Sequence, residues 1–199
     1  MSIDIKEIKR LKDLTGVGLT DAKKALEQNQ GDFDKALEEM RKKGLTKAEK
    51  RGEREARQGL VATYNHDNRI GVVIELNCET DFVARNDIFS NLAKDIAMHV
   101  AASNPEYLSI EKVPSKDIEK VKAEFIEKAK ESNKPKEMIE KIVDNQVKKY
   151  FAEKCLVDQS FIKDPDITIA DLIKKNIAKL GENIVIRRFN RLALGEIID

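Results

Sequence analysis

The sequence predicts an α+β fold: a small three-helix module, a charged connecting helix, and a core built on a three-stranded antiparallel sheet packed with helices that include a helical hairpin. Three observations carry this. Apolar residues in the first 45 positions mark the faces of three short helices. Residues 59–76 alternate in two arms around a turn sequence. Ile184-Val185-Ile186-Arg187-Arg188-Phe189 adds one more strand-like run after several helix-patterned segments. The units expected are 1–45, a basic linker helix over 46–58, and a core over 59–199.

In the module, Ile5, Ile8, Leu11 and Leu14 mark one face of a first helix, and Gly16-Val17-Gly18 breaks it. Thr20 is an expected N-cap for a second helix carrying Ala22, Ala25 and Leu26, ended by Gln30-Gly31. Asp32 can cap a third, with Phe33, Ala36, Leu37 and Met40 inward and Gly44 as its stop. Three helices in about 45 residues make a marginal core. In the connector, Thr46 and Glu49 have capping-box spacing. Lys47, Lys50, Arg51, Arg54 and Arg57 outnumber Glu49, Glu53 and Glu55 there. Such a run is either a solvated face or a basic face that meets an acidic partner.

The hairpin arms are Leu60, Ala62, Tyr64 and Ile70, Val72, Ile74, Leu76, with Asn65-His66-Asp67-Asn68 as the turn. A helix opens near Asp87 with Ile88, Leu92, Ile96 and Val100 as its stripe, and Asn104-Pro105 ends it. Residues 115–131 form a charged helix with Ile118, Val121, Phe125 and Ala129 on one side. Ser132-Asn133-Lys134 interrupts, and Pro135 suits the first turn of the next helix, with Met138, Ile142, Val143, Val147, Tyr150 and Phe151. The pair reads as an antiparallel helical hairpin. Residues 156–167 read as a loop exposing Phe161 and Ile162. Thr168 caps a helix with Ile169, Leu172, Ile173 and Ile177, closed by Leu180-Gly181.

Composition narrows the function classes. Hydrophobic residues make up 41% and charged residues 37% of the 199, as in a soluble globular chain. No apolar run could span a bilayer, and the first residues hold neither a signal core nor a transit pattern, so a cytoplasmic location is expected. Thirty-seven basic against 36 acidic residues is a near balance, which disfavours a dedicated nucleic-acid binder. Cys78 and Cys155 share no paired motif and read as small buried hydrophobes. His66 and His99 are too isolated to make a zinc site with them, so no metal and no cofactor is expected. Phosphate-loop and nucleophile-elbow motifs are absent, and no enzyme activity is expected.

The segment Asn77-Cys78-Glu79-Thr80-Asp81-Phe82-Val83-Ala84-Arg85-Asn86 lies between a strand and a helix. Residues at such junctions are surface features where binding concentrates. Periodicity leaves Phe82 two places: tucked under the sheet, or outward at the junction.

This segment resembles the signature of the bacterial elongation factor Ts family. Further similar pieces stand in the family's order. They are Leu14-Thr15-Gly16-Val17-Gly18, Asp21-Ala22-Lys23-Lys24-Ala25-Leu26, Lys47-Ala48 with Arg51, Ile70-Gly71-Val72-Val73, Ala97-Met98-His99-Val100-Ala101-Ala102-Ser103 and Gly181-Glu182-Asn183-Ile184-Val185-Ile186-Arg187-Arg188. The module also resembles the ubiquitin-associated type. The resemblance implies a guanine-nucleotide exchange factor whose partner is elongation factor Tu. It implies that Thr80, Asp81, Phe82 and Val83 displace the partner's Mg²⁺ surroundings, with Phe82 as an apolar wedge. Leu19 and Lys23 would touch the nucleotide domain, although on composition Lys23 reads as a solvent lysine. Arg51 stands where the family leads one to expect lysine. His66, Phe161, Ile162, Leu180 and Gly181 are the other implied contacts, and His99 reads as structural. Each core motif occurs once and no heptad excursion stands out, whereas longer members repeat the core. That implies the short form, a homodimer in a two-plus-two complex, with no direct nucleic-acid or membrane contact. Two other classes remain: a peptide-binding module, which leaves Phe82 without a role, and an RNA binder, which would show steep salt dependence.

Overall fold

A computed structural model describes residues 3–15, 17–130 and 136–196. Gly16 and the expected interruption at 132–135 lie outside the described residues. Among those described, the module comprises α1 (Ile5–Thr15), α2 (Leu19–Gln28) and α3 (Phe33–Arg51). Ile8, Leu11, Ala22, Ala25, Leu26, Ala36 and Met40 form its own small apolar cluster. Asp32 caps α3, its carboxylate accepting the Lys35 N–H at 3.1 Å.

Two expectations for this region change. The second helix starts two residues earlier than a Thr20 cap allows, with extended Gly18 at the N-cap. Glycine serves there nearly as well as a hydroxyl side chain. The third helix does not stop at Gly44 but runs to Arg51, so no helix begins at Thr46 and the basic connector is the second half of α3. A mid-helix glycine costs about 1 kcal/mol, and packing of α3 against the core helix α8 offsets it.

The core sheet runs β1 (Gln58–His66), β2 (Ile70–Cys78) and β5 (Ile184–Ala193), all antiparallel with β2 central. Asp67 and Asn68 take positive φ at the hairpin tip, closed by Arg69 N–H on the His66 carbonyl at 2.9 Å. The β2–β5 register shifts between Glu75, opposite Arg188, and Leu76, opposite Ile186, so Arg187 is the extra residue of a bulge. Val72, Ile74, Leu76, Ile184 and Ile186 face inward. Over them lie α5 (Asp87–Ser103) and α8 (Ile169–Leu180). In α5 the innermost ring is Phe89 rather than Ile88, which is half-buried. Thr168 and Asp171 make the capping box of α8, and Gly181 closes it in the left-handed region at φ 82°.

A single helical turn, α4 (Asp81–Ala84), sits between β2 and α5. The charged helices are α6 (Ser115–Lys130) and α7 (Lys136–Lys154), packed as a hairpin. At its base Tyr107, Phe151, Tyr150 and Phe125 meet edge to face, with Val113 and Cys155. Met138, expected inward, is exposed. The expected loop over 156–167 contains a two-strand ribbon, β3 (Ser160–Phe161) and β4 (Asp164–Thr168). Successive residues of a ribbon point to opposite sides. Phe161 is therefore only 5% exposed, against His99, and only Ile162 faces outward.

His99 is fully buried. Gln159 gives its side-chain N–H to the Glu153 carbonyl at 2.7 Å, so its oxygen is left to accept from His99 Nε2 at 3.0 Å. His99 Nδ1 accepts the Ile162 N–H at 3.4 Å. This neutral tautomer ties α5 to the ribbon. Burial holds the His99 pKa below its ordinary 6.5, partly offset by the Gln159 bond. Below that pH the unfolded chain takes up a proton that the folded chain refuses. Stability should therefore be level above about pH 6.5 and fall below it. The slope is limited by one proton, about 1.4 kcal/mol per pH unit. Denaturant titrations at several pH values check this, and His99→Gln should flatten that part of the profile.

Gly59, opposite Asn77 in the second pair of the β1–β2 ladder, has φ 150°, where a Cβ would stand 2.1 Å from the Leu76 carbonyl oxygen. Gly59→Ala should cost about 2 kcal/mol or more, a melting-temperature loss of roughly 4–8 °C. Gly71→Ala in the next strand meets open space and serves as the control in the same thermal melts.

Candidate functional site

The site grows from the end of β2. Cys78 is the last inward residue of that strand, and the chain then turns outward through Glu79 and Thr80. Thr80 is extended at φ −126° and caps α4, its hydroxyl oxygen accepting the Val83 N–H at 3.4 Å. Within this one turn the residues divide sharply. Val83 is 5% exposed and belongs to the core, whereas Phe82 is 81% exposed. Asp81 is exposed and pairs with Arg85 one turn on at 3.3 Å. The outward placement of Phe82 is thus the one adopted. Val83 is the root of the turn and not part of its outer surface, because a four-residue helix needs one side chain in the core to seat it.

Four polar groups hold this turn. Glu182 Oε2 accepts the backbone N–H of Glu79 at 3.1 Å and of Thr80 at 3.0 Å, and its Oε1 accepts the Thr80 hydroxyl at 2.6 Å. Glu79 Oε1 accepts the Asn183 N–H at 2.7 Å, and its other oxygen pairs with Arg54 at 3.5 Å. Asn183 is buried and donates its amide to the carbonyls of Gly52 and Arg54 at 3.2 and 2.6 Å. Beneath them the Cys78 thiol donates to the Thr80 carbonyl at 3.1 Å, and burial pushes its pKa up to about 11. The Cys155 thiol is likewise pushed up to about 11 by burial. Both cysteines are free and buried, as their isolated spacing suggests.

Sequence reasoning marked Glu182 and Asn183 only as parts of a motif. Their signal was the pair of polar residues between a helix-ending glycine and a buried strand, where neither has a regular place.

The other expected residues fall in two regions. Leu180 and Gly181, directly before Glu182, line a groove of about 540 Å³ together with Val17, Gly18, Lys24 and Arg51. Arg51 is half-buried, and its Nη1 donates to the Ile177 carbonyl at 3.4 Å, at the electronegative end of α8. That bond binds α3 to the core, so at least one donor of this arginine is used internally. Leu19 and Lys23 are exposed on α2, and Lys23 pairs with Glu27 at 3.7 Å. His66 lies at the opposite end of β1 from the Phe82 turn, about 26 Å away along an eight-residue strand rise. Its Nδ1 is 3.2 Å from the Tyr64 hydroxyl. Phe161 is withdrawn from any surface by its packing on His99, which corrects its reading as an exposed contact.

No group of three or more His, Cys, Asp or Glu able to hold a metal occurs among the described residues. No helix there is long and apolar enough to cross a membrane. A turn anchored by Val83 and Glu182 presents an exposed aromatic beside a carboxylate on an α+β protein.

The sequence profile of the family described as Elongation factor TS matches residues 5–176. The chain is 50% identical over 199 residues to elongation factor Ts of Thermodesulfovibrio yellowstonii, covering 100% of both chains. It is 50% identical over 198 residues to that of Syntrophomonas wolfei, covering 99% of this chain and 92% of the other. With that of Geobacter sulfurreducens it shares 47% over 197 residues, 98% and 91% of the two chains. The chain belongs to the elongation factor Ts family, which is known as the nucleotide-exchange factor of translation elongation.

Proposed function

We propose that this chain binds elongation factor Tu carrying GDP, disturbs its Mg²⁺ and nucleotide site, and promotes GDP release so that GTP can enter. The observation that carries this is Phe82, 81% exposed on a turn anchored by Thr80 before it and buried Val83 after it. Leaving a phenylalanine in water forgoes roughly 2–3 kcal/mol of burial, which a partner's apolar pocket would recover. Asp81 next to it brings a negative charge toward the partner's metal surroundings without being a ligand itself. Mg²⁺ keeps strict octahedral geometry, so small displacements weaken it. Exchange then needs only linkage: a factor that binds better without GDP weakens GDP by the same ratio. No bond is made or broken in the nucleotide, and the activity is not that of an enzyme.

Leu19 and Lys23 on α2, the groove at Leu180 and Gly181 with Arg51, and Ile162 and His66 farther away are the remaining proposed contacts, all in the cytoplasm. The test is release of labelled GDP from elongation factor Tu. The chain should accelerate it, and Phe82→Ala should slow the accelerated rate by roughly 10- to 1000-fold. An unchanged melting temperature for Phe82→Ala completes the expected result. Unaltered GDP release at saturating wild-type chain would end this reading.

We further propose that two copies pair, giving a two-plus-two complex. The support is the outer face of the sheet. Val61, Val73, Val185 and Leu192 are all exposed there, Leu192 by 73%. Exposed apolar side chains gathered on one sheet face, here around the Glu75–Arg188 ion pair, make an expected association surface. Sedimentation at micromolar concentration should give twice the chain mass, and Val61→Glu with Val73→Glu should halve it. A monomer with full exchange activity would rule pairing out.

A further inference from the structure

Phe82 stands on a helix of four residues, and a helix that short has no stability of its own. Its seat is Val83 below and one carboxylate beside it. Glu182 takes three donors from the two residues that lead into the turn: the N–H groups of Glu79 and Thr80 and the Thr80 hydroxyl. Because the hydroxyl proton goes to Glu182, the Thr80 oxygen keeps its lone pairs for the Val83 N–H, the bond that starts the turn. The carboxylate therefore anchors the cap and also orients it.

Glu182 is fixed in turn. Gly181 before it ends α8 in the left-handed region. Asn183 after it is 2% exposed and bound to the carbonyls of Gly52 and Arg54. The arrangement is reciprocal across the β2 and β5 ends, where Cys78 faces Ile184. Glu79 accepts from the Asn183 backbone while Glu182 accepts from the Glu79 backbone. Charge-assisted bonds of this kind are roughly twice as strong as neutral ones. A carboxylate is the side chain that can serve three donors at once.

We propose that Glu182 is a positioning residue for nucleotide exchange: it acts through Thr80 to hold Phe82 and Asp81 in a single presented geometry. This rests on the exchange reading. A turn already ordered loses nothing to ordering on contact, and one set free must be ordered by the partner at the expense of affinity and rate.

The test compares GDP release from elongation factor Tu and backbone amide hydrogen exchange for the wild-type chain, Glu182→Ala, Glu182→Gln, Phe82→Ala and the Phe82→Ala/Glu182→Ala double variant. Glu182→Ala should slow release at saturating factor by roughly 10- to 100-fold. Amides 79–84 should exchange faster, and those of β2 and α5 should keep their protection. Glu182→Gln keeps an oxygen for the two N–H groups and an N–H for the Thr80 oxygen, and should recover most of the rate. In the Phe82→Ala background, Glu182→Ala should cost much less than it does alone, because of the two groups it positions only Asp81 remains. Three results would overturn the proposal: wild-type release by Glu182→Ala, full multiplication of the two single effects, or lost protection spread across the core. If the wild-type chain accelerates release and Glu182→Ala matches it, this proposal alone falls. If the wild-type chain leaves release unchanged, the exchange reading falls and takes this one with it.

Discussion

Everything in the core is arranged around β2. It pairs along both edges, with β1 and β5, and buries Val72, Ile74, Leu76 and Cys78 beneath α5 and α8. A strand bonded on both sides and covered on one face has the fewest ways to move. Its last residue is therefore a fixed origin for the next segment of chain, the turn bearing Phe82. The most exposed aromatic of the fold is thus only four residues from a fully buried position, Cys78. Precision at the site is inherited from the sheet.

That inheritance needs a polar connection as well as an apolar one. The strand ends leave N–H groups without ladder partners, and unpaired backbone donors are costly when shielded from water. Glu182 and Glu79 accept such N–H groups across the β2 and β5 ends, and the Asn183 amide donates to the carbonyls of Gly52 and Arg54 in the segment that leads in from α3. Arg51, bonded to the Ile177 carbonyl, joins the same region to the end of α8. The module, α8 and the turn bearing Phe82 are linked at one end of the sheet. By contrast, exposed pairs such as Lys42–Glu38 and Lys23–Glu27 each contribute little.

The other end of the fold is built differently. His99 and Gln159 form a buried neutral node that ties α5 to the β3–β4 ribbon, and Lys163 pairs with Asp95 at 2.7 Å across the same gap. The aromatic cluster at Tyr107 and Phe151 then seats the hairpin of α6 and α7. These contacts make the distant surface around Ile162 part of the same body as the sheet, and they withdraw Phe161 from it.

The sequence by itself determined the elements whose signals are local: the hairpin with its Asp67-Asn68 tip, the capping box at Thr168, the stop at Gly181 and the family motifs around Phe82. Period, turn chemistry and caps act within a few residues, so they can be read along the chain. Tertiary structure alone decided the rest. Gly44 sits inside a helix because α3 leans on α8, and local propensity is too small to resist that. Phe161 is buried because an unforeseen ribbon turned it onto His99. Phe82 faces outward because Val83 fills the space below the turn and Glu182 holds its start. Glu182 is 102 residues from Thr80 along the chain, a separation at which no periodicity carries information and only the packed sheet brings the two together.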